Sequence, residues 1–370
     1  VVNRADPVVN HGVRGGTISA VTSGVTQRSL RPWPTGAATG VGSMPGTDSG
    51  EAAAVVFGEL PEFPHLPELP ARGVGADLLG RTAAVLVDLA VDVVPSGYRV
   101  AARPGRDQRR AVDLLRWDID AVTEAAGRGA PEVVKIQLAG PWTLAAGVEL
   151  ARGHRVLTDR GAVRDFTDSL VEGLAAHVAQ LAERTGARVV VQFDEPSLPD
   201  VLAGALSTPS GYGTVPAVPE PEARDLLGTV IEAARERTGA AVAVHCCARR
   251  PPVGLLRAAG ADAVSLDATL LTGAGGALLD EIGEAYDAGT TLLLGLVPST
   301  APATPPELKT LARPAFDLVD RLGFARATLA EQAVPTPTCG LAGATADWVR
   351  RALSLTRDLG KAFVEPVEGW

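Results

Sequence analysis

The stretch Ala241–Cys247 reads AVAVHCC: four small or β-branched residues run straight into a histidine and two adjacent cysteines. A short run of this kind is what a strand buried on both faces looks like. Its polar residues come where such a strand would leave the core. The same form recurs along the chain. Ala38–Ser43 ends in Ser43, Arg188–Asp194 in Asp194 followed by Glu195, and Ala263–Asp267 in Asp267. Val133–Ala139 is followed by Gly140 and Pro141; Val91–Val94, Thr291–Val297 and Arg326–Val334 are further apolar runs, and Cys339 follows the last. Between them, amphipathic patterns predict helices over Arg106–Ala126, Arg160–Thr185, Glu220–Thr238, Gly276–Ala288, Pro306–Leu322 and Ala346–Leu359. Strand–helix alternation predicts a parallel sheet with right-handed crossovers. About eight strands predict an α/β fold, a single (β/α)8 TIM-type barrel, with an open doubly wound sheet as the alternative. In a barrel the C-terminal strand ends share one face, so the polar residues that end these runs would converge there.

Residues 1–35 are rich in Gly, Ser, Thr, Asn and Pro without apolar period and are expected to be a loosely ordered N-terminal tail; residues 36–370 form the expected barrel. The net charge of −9 and the lack of a sustained basic run argue against nucleic acid as a partner. No stretch approaches the roughly 20 apolar residues of a membrane helix, so no membrane association is expected. The N-terminus lacks the order of a signal peptide, and three cysteines, two of them adjacent, make no disulfide framework. A reducing cytoplasm is the expected compartment. No G-x-G-x-x-G follows a first strand and there is no P-loop, which weakens a nucleotide-binding reading.

Side chains of a strand alternate faces, so His245 and Cys247 point one way and Cys246 the other. A His and a Cys so placed can reach one Zn²⁺ together. Cys339, in PTPTCGLAG, supplies a second thiolate, with Gly340 expected to let the backbone turn beside it. Asp267 is a candidate fourth ligand, or leaves that position to solvent or substrate. The competing reading makes the cysteines small apolar packing residues; Cys246 fits it.

These residues resemble the C-terminal catalytic barrel of cobalamin-independent methionine synthase, in family order and over about Thr39 to Leu359. GSMP at Gly42–Pro45 resembles the family's homocysteine-binding loop. AGPWTL at Ala139–Leu144 resembles its GPVT turn, and QFDEPSL at Gln192–Leu198 its DEPAL segment. HCC at His245–Cys247, ADAVSLD at Ala261–Asp267 and TCGL at Thr338–Leu341 resemble its zinc segments. The resemblance implies a Zn²⁺ held by His245, Cys247, Asp267 and Cys339, and a catalytic Asp194 that pairs with the ammonium of homocysteine. It implies that Val41, Gly42 and Ser43 hold the substrate carboxylate. The reaction implied is methyl transfer to the homocysteine thiol, forming methionine. Three departures bear on this. Asp267 stands where the family usually has Glu. Arg72 falls where the family has a substrate-binding Glu, with Glu68 the nearest acid. No histidine lies in Gly295–Thr300, where the family has its relay His. The family's N-terminal barrel, which helps bind a folate donor, has no counterpart here, so methylcobalamin or a methylated corrinoid protein is expected as the methyl donor, with methyl-folate as the alternative. Alternatives are a related zinc methyltransferase with another thiol acceptor and a non-catalytic zinc-binding barrel.

Overall fold

The computed structural model describes residues 31–365. Its strands are β1 (Ala90–Val94), β2 (Gly97–Ala101), β3 (Val133–Ala139), β4 (Val148–Glu149), β5 (Arg188–Asp194), β6 (Val242–His245), β7 (Ala263–Asp267), β8 (Thr291–Val297) and β9 (Ala333–Pro337). Six of them form one parallel sheet in the order β3-β5-β6-β7-β8-β9. The crossovers carry helices, including Arg160–Thr185, Glu220–Thr238, Gly276–Asp287 and Leu308–Leu322. These lie within two residues of the helices the periodicity predicts. The expected tail falls mostly in residues 1–30, outside the described part; Trp33 stacks on Phe63 with ring centroids 4.8 Å apart. Among the described residues no helix is long and apolar enough to cross a membrane.

The sheet curls into a half-barrel of the TIM-like type, and two extended segments run between its edges. Thr39 N–H donates to Pro335 O of β9 at 3.2 Å, and Leu341 N–H to Ser43 O at 2.7 Å. Met44 N–H donates to Glu68 O at 2.8 Å, and Glu68 N–H to Gly42 O at 3.2 Å. Leu66 N–H then donates to Lys135 O of β3 at 2.8 Å. Ser43 with Glu68, and His65 with Lys135, form isolated parallel bridges.

Two expected strands are corrected. Val91–Val94 is not in the parallel sheet: β1 pairs antiparallel with β2, and β2 with β4, as a separate three-stranded ribbon. The turn between Val94 and Gly97 reverses the chain at once, whereas a parallel neighbour needs a long crossover. The segment beside β3 is instead His65–Glu68. Arg326–Val334 is mostly the helix Ala327–Gln332, rich in good helix formers, and the strand follows as β9.

Side-chain alternation builds two cores. Val134, Ile136, Leu138, Val189, Val191, Val242, Val244 and Cys246 join the large core between sheet and helices. The opposite face supplies Val133, Val190, Ala243, Ala263, Leu293 and Val334 to a smaller core with Phe63 inside the curl. Each fully buried Val or Leu contributes about 1.5–3 kcal/mol. One step nearer the strands' C-terminal ends, the same inner face carries Lys135, Gln192, His245, Ser265 and Thr336, all buried. The interior thus changes from apolar to polar toward the end where the site lies.

Candidate active site

His245 ends β6, Cys247 lies two residues further, and Cys339 two residues beyond β9. Their ligand atoms all lie within 4.8 Å of one another. The sulfurs of Cys247 and Cys339 are 3.6 Å apart and both cysteines are free. Two sulfurs at about 2.3 Å from one tetrahedral Zn²⁺ would stand about 3.8 Å apart, so the spacing suits a metal pair and is far too long for a disulfide. The hydrogen bond between the two sulfurs, the largest influence on each, lowers the Cys339 thiol to about 6 and pushes Cys247 up. His245 Nδ1 is 2.8 Å from Asp194 Oδ1, while Nε2 is buried without a partner. A carboxylate on one ring nitrogen fixes the tautomer and leaves the other as a ligand, the usual arrangement at metal-binding histidines. An orphaned buried nitrogen costs about 1–3 kcal/mol unless something binds it. The donor set and the orphan atom therefore fit a thiophilic cation.

Cys246 is fully buried in the large core, on the opposite face of the strand. Asp267 is not brought into the cluster. Its Oδ1 accepts from Thr269 N at 2.9 Å and Thr269 Oγ1 at 2.6 Å, capping the turn after β7. Gly340 does not adopt a left-handed φ. It is glycine for another reason: a Cβ there would lie 1.9 Å from Ser43 Oγ. Ser43 is thereby pressed against the Cys339 loop.

Asp194 and the Val41–Ser43 turn meet over one amide. Gln192 Nε2 donates to Asp194 Oδ1 at 2.8 Å and to Val41 O at 2.9 Å. Lys135 Nζ donates to Val41 O at 3.1 Å and to Gln192 Oε1 at 2.8 Å. Glu68 lies against the same turn; a Cβ on Gly42 would be 3.3 Å from its carboxyl carbon. Burial raises the Glu68 carboxyl to about 7, against the lowering pull of Arg81. Arg72 faces elsewhere, bonded to Asp118 at 2.7 Å and Ser49 at 3.1 Å.

Over residues 34–362 the chain matches the family described as "Cobalamin-independent synthase, Catalytic domain". The chain belongs to this family. Its fold is similar to that of a B12-independent methionine synthase from Shewanella sp. W3-18-1, with 14% identity, a TM-score of 0.54, and coverage of 91% of this chain and 98% of that one. It is equally similar to a methyltransferase from Methanosarcina mazei, at 15% identity and TM-score 0.54, covering 92% and 96% of the two chains. No curated protein matches the sequence.

Two motifs of this cobalamin-independent synthase domain prove to be one device. Glu195 is fully buried and accepts from Trp142 N at 2.9 Å, Thr143 N at 2.7 Å and Thr143 Oγ1 at 2.7 Å. It caps the helix Pro141–Gly147, whose first N–H groups lack partners of their own. A Cβ on Gly140 would lie 2.3 Å from Glu195 Oε1, so the glycine gives the carboxyl its place. Glu195 is structural, and it holds the chain just after Asp194. Lys135, Gln192 and Gln137 were not singled out from sequence. The signal was present: VVKIQLA carries a lysine and a glutamine two apart inside an apolar run.

Proposed function

We propose that this chain is a zinc-dependent S-methyltransferase that moves a methyl group onto the thiol of homocysteine, forming methionine. The observation that carries the reading is the unpartnered Nε2 of His245 beside the thiols of Cys247 and Cys339, in a chain of this family. These three residues would hold the ion. Three protein ligands with an open position is the pattern of catalytic zinc. A bound Zn²⁺ would supply Lewis acidity that makes a thiol available as thiolate at neutral pH. Asp267, engaged by Thr269, would act at most through backbone adjustment or a water.

The chain's own residues would do the rest. Asp194 orients His245 through Nδ1 and would accept the substrate ammonium, a charge-assisted contact. The backbone of Val41–Ser43 and the Ser43 hydroxyl would hold the carboxylate, with Glu68 beside them. The homocysteine sulfur would form the new S–CH3 bond as the donor–CH3 bond breaks, its electron pair staying with the donor. The segment Gly295–Thr300 holds no histidine to protonate a leaving amine, which favours methylcobalamin or a corrinoid protein over methyl-folate. The catalytic unit would be an eight-staved barrel over residues 36–370, closed by the segments around Thr39–Ser43 and His65–Glu68, working in the cytoplasm.

The test is methionine formation by the zinc-loaded protein from homocysteine with each donor in single turnover. Methionine, formed faster from methylcobalamin, is expected. No methionine from any donor would overturn the assignment, and a faster folate rate would overturn the donor preference alone.

A further inference from the structure

Lys135 is a charged side chain in the middle of an inner strand with no exposure to solvent. Burying an ammonium is costly unless its protons are all used. Here three acceptors surround it. Val41 O lies at 3.1 Å and Gln192 Oε1 at 2.8 Å. Gln137 becomes the third once its amide is turned over, the orientation in which its nitrogen donates to Leu66 O at 2.9 Å and its oxygen accepts from Nζ at 2.8 Å. A neutral amine has two protons to give, so three acceptors favour the ammonium, with Asp194 and Glu68, against the burial that lowers Lys135 to about 7.

Two consequences follow from these bonds. A Gln192 oxygen claimed by Lys135 leaves the Gln192 nitrogen for Asp194 and Val41 O, the two bonds it makes at 2.8 and 2.9 Å. A Val41 carbonyl held from inside the barrel by Lys135 and Gln192 also fixes the plane of the Val41–Gly42 peptide. Because that peptide is trans and planar, its N–H must point the opposite way. One ammonium therefore sets the orientation of both the Val41–Gly42 peptide and the Asp194 carboxylate.

We propose that Lys135 is a positioning residue for amino-acid recognition: it holds the Val41–Gly42 peptide and, through the Gln192 amide, the Asp194 carboxylate in mutual register, without touching the substrate. This rests on the reading above that Val41–Ser43 and Asp194 grip an α-amino acid. It explains why a lysine, rather than a neutral amide, stands at 135.

The experiment compares binding of homocysteine with binding of 1-butanethiol, a thiol with no amino-acid head, by calorimetry on protein loaded to equal zinc content. In Lys135→Met the preference for homocysteine over butanethiol should fall on the order of 10-fold or more, the scale of a charged hydrogen bond. A residue that merely filled the core would lower thermal stability and leave that preference unchanged, and this result would overturn the proposal. Should Lys135→Met not fold, Gln192→Glu carries the same test. Glutamate still accepts from Lys135 but cannot donate to Asp194 or Val41 O, so the preference should fall again; wild-type preference in that variant would overturn the proposal. A wild-type protein showing no preference for homocysteine would overturn the amino-acid reading and this inference with it.

Discussion

At residue 245 one ring nitrogen is held by Asp194 and the other has no partner, and the three cysteines around it differ in their facing. Cys247→Ser and Cys339→Ser should each lose the metal, measured as zinc per chain after dialysis. Cys246→Ser should keep it, because its sulfur lies in the apolar core. Asp194→Ala should weaken metal binding about 10–100-fold by releasing His245, the usual effect of removing such a partner. It should also weaken homocysteine binding by about 1.5–3 kcal/mol, the worth of a charged hydrogen bond; competition with a chromogenic chelator and calorimetry measure the two. The His-x-Cys pair was legible because a strand's period of two is rigid. The spacing left Asp267 open as a fourth ligand or a bystander, because its cap on Thr269 is a local bond that no spacing reveals. Lys135 and Gln192 stayed hidden because a lysine in sequence reads as exposed unless the barrel interior is known to turn polar.

Between elements, glycines mark where one segment presses on another. A Cβ at Gly140 would strike Glu195, and one at Gly340 would strike Ser43. Gly140→Ala should lower stability by about 1–3 kcal/mol, the cost of overpacking, read as a fall in the urea midpoint with unchanged slope. Gly340→Ala displaces Ser43 and the Cys339 loop, so the expected loss is in zinc and homocysteine binding more than in stability. Arg160–Thr185 and Glu220–Thr238 were legible to the residue because a helix of nineteen or more residues repeats its period several times, whereas Arg106–Gly129 and Ala346–Val364 run on past the expected ends at Ala126 and Leu359. The stave at Thr39–Ser43 was legible as the run Ala38–Ser43, but the one at His65–Glu68 was not. Both make isolated bridges and scattered bonds in place of a ladder, and the second is written in prolines and polar residues. The β1–β2 ribbon shows the opposite error: an apolar run with strand character belongs to a hairpin because of the turn after it.

For the molecule as a whole, buried titratable groups pull stability in opposite directions with pH. Burial lowers His177 from 6.5 to about 4 and raises Glu195 from 4.5 to about 7. Between pH 6.5 and 4 the unfolded chain takes up the His177 proton and the native state does not, so stability falls as pH falls through that window. Between pH 4.5 and 7 the native state keeps the Glu195 proton that the unfolded chain has lost, so stability falls as pH rises. The two offset each other where the windows overlap. His177→Gln should remove the acid-side loss, on the order of 3 kcal/mol at about 1.4 kcal/mol per pH unit, seen as a urea-derived stability that gains on the wild type as pH falls from 6.5 to 4, with the opposing Glu195 slope left uncompensated.

His245, Cys247 and Cys339 converge from the ends of β6 and β9, on the side where the inner face turns polar. In the proposed enzyme these three hold zinc and leave a place for a substrate thiol. Zinc K-edge X-ray absorption on the loaded protein, before and after adding homocysteine, tests it directly. Two sulfurs at about 2.3 Å with nitrogen or oxygen neighbours are expected before addition, and three sulfurs after it. A sulfur count that does not rise with homocysteine, or a zinc shell without the two cysteine sulfurs, would contradict it.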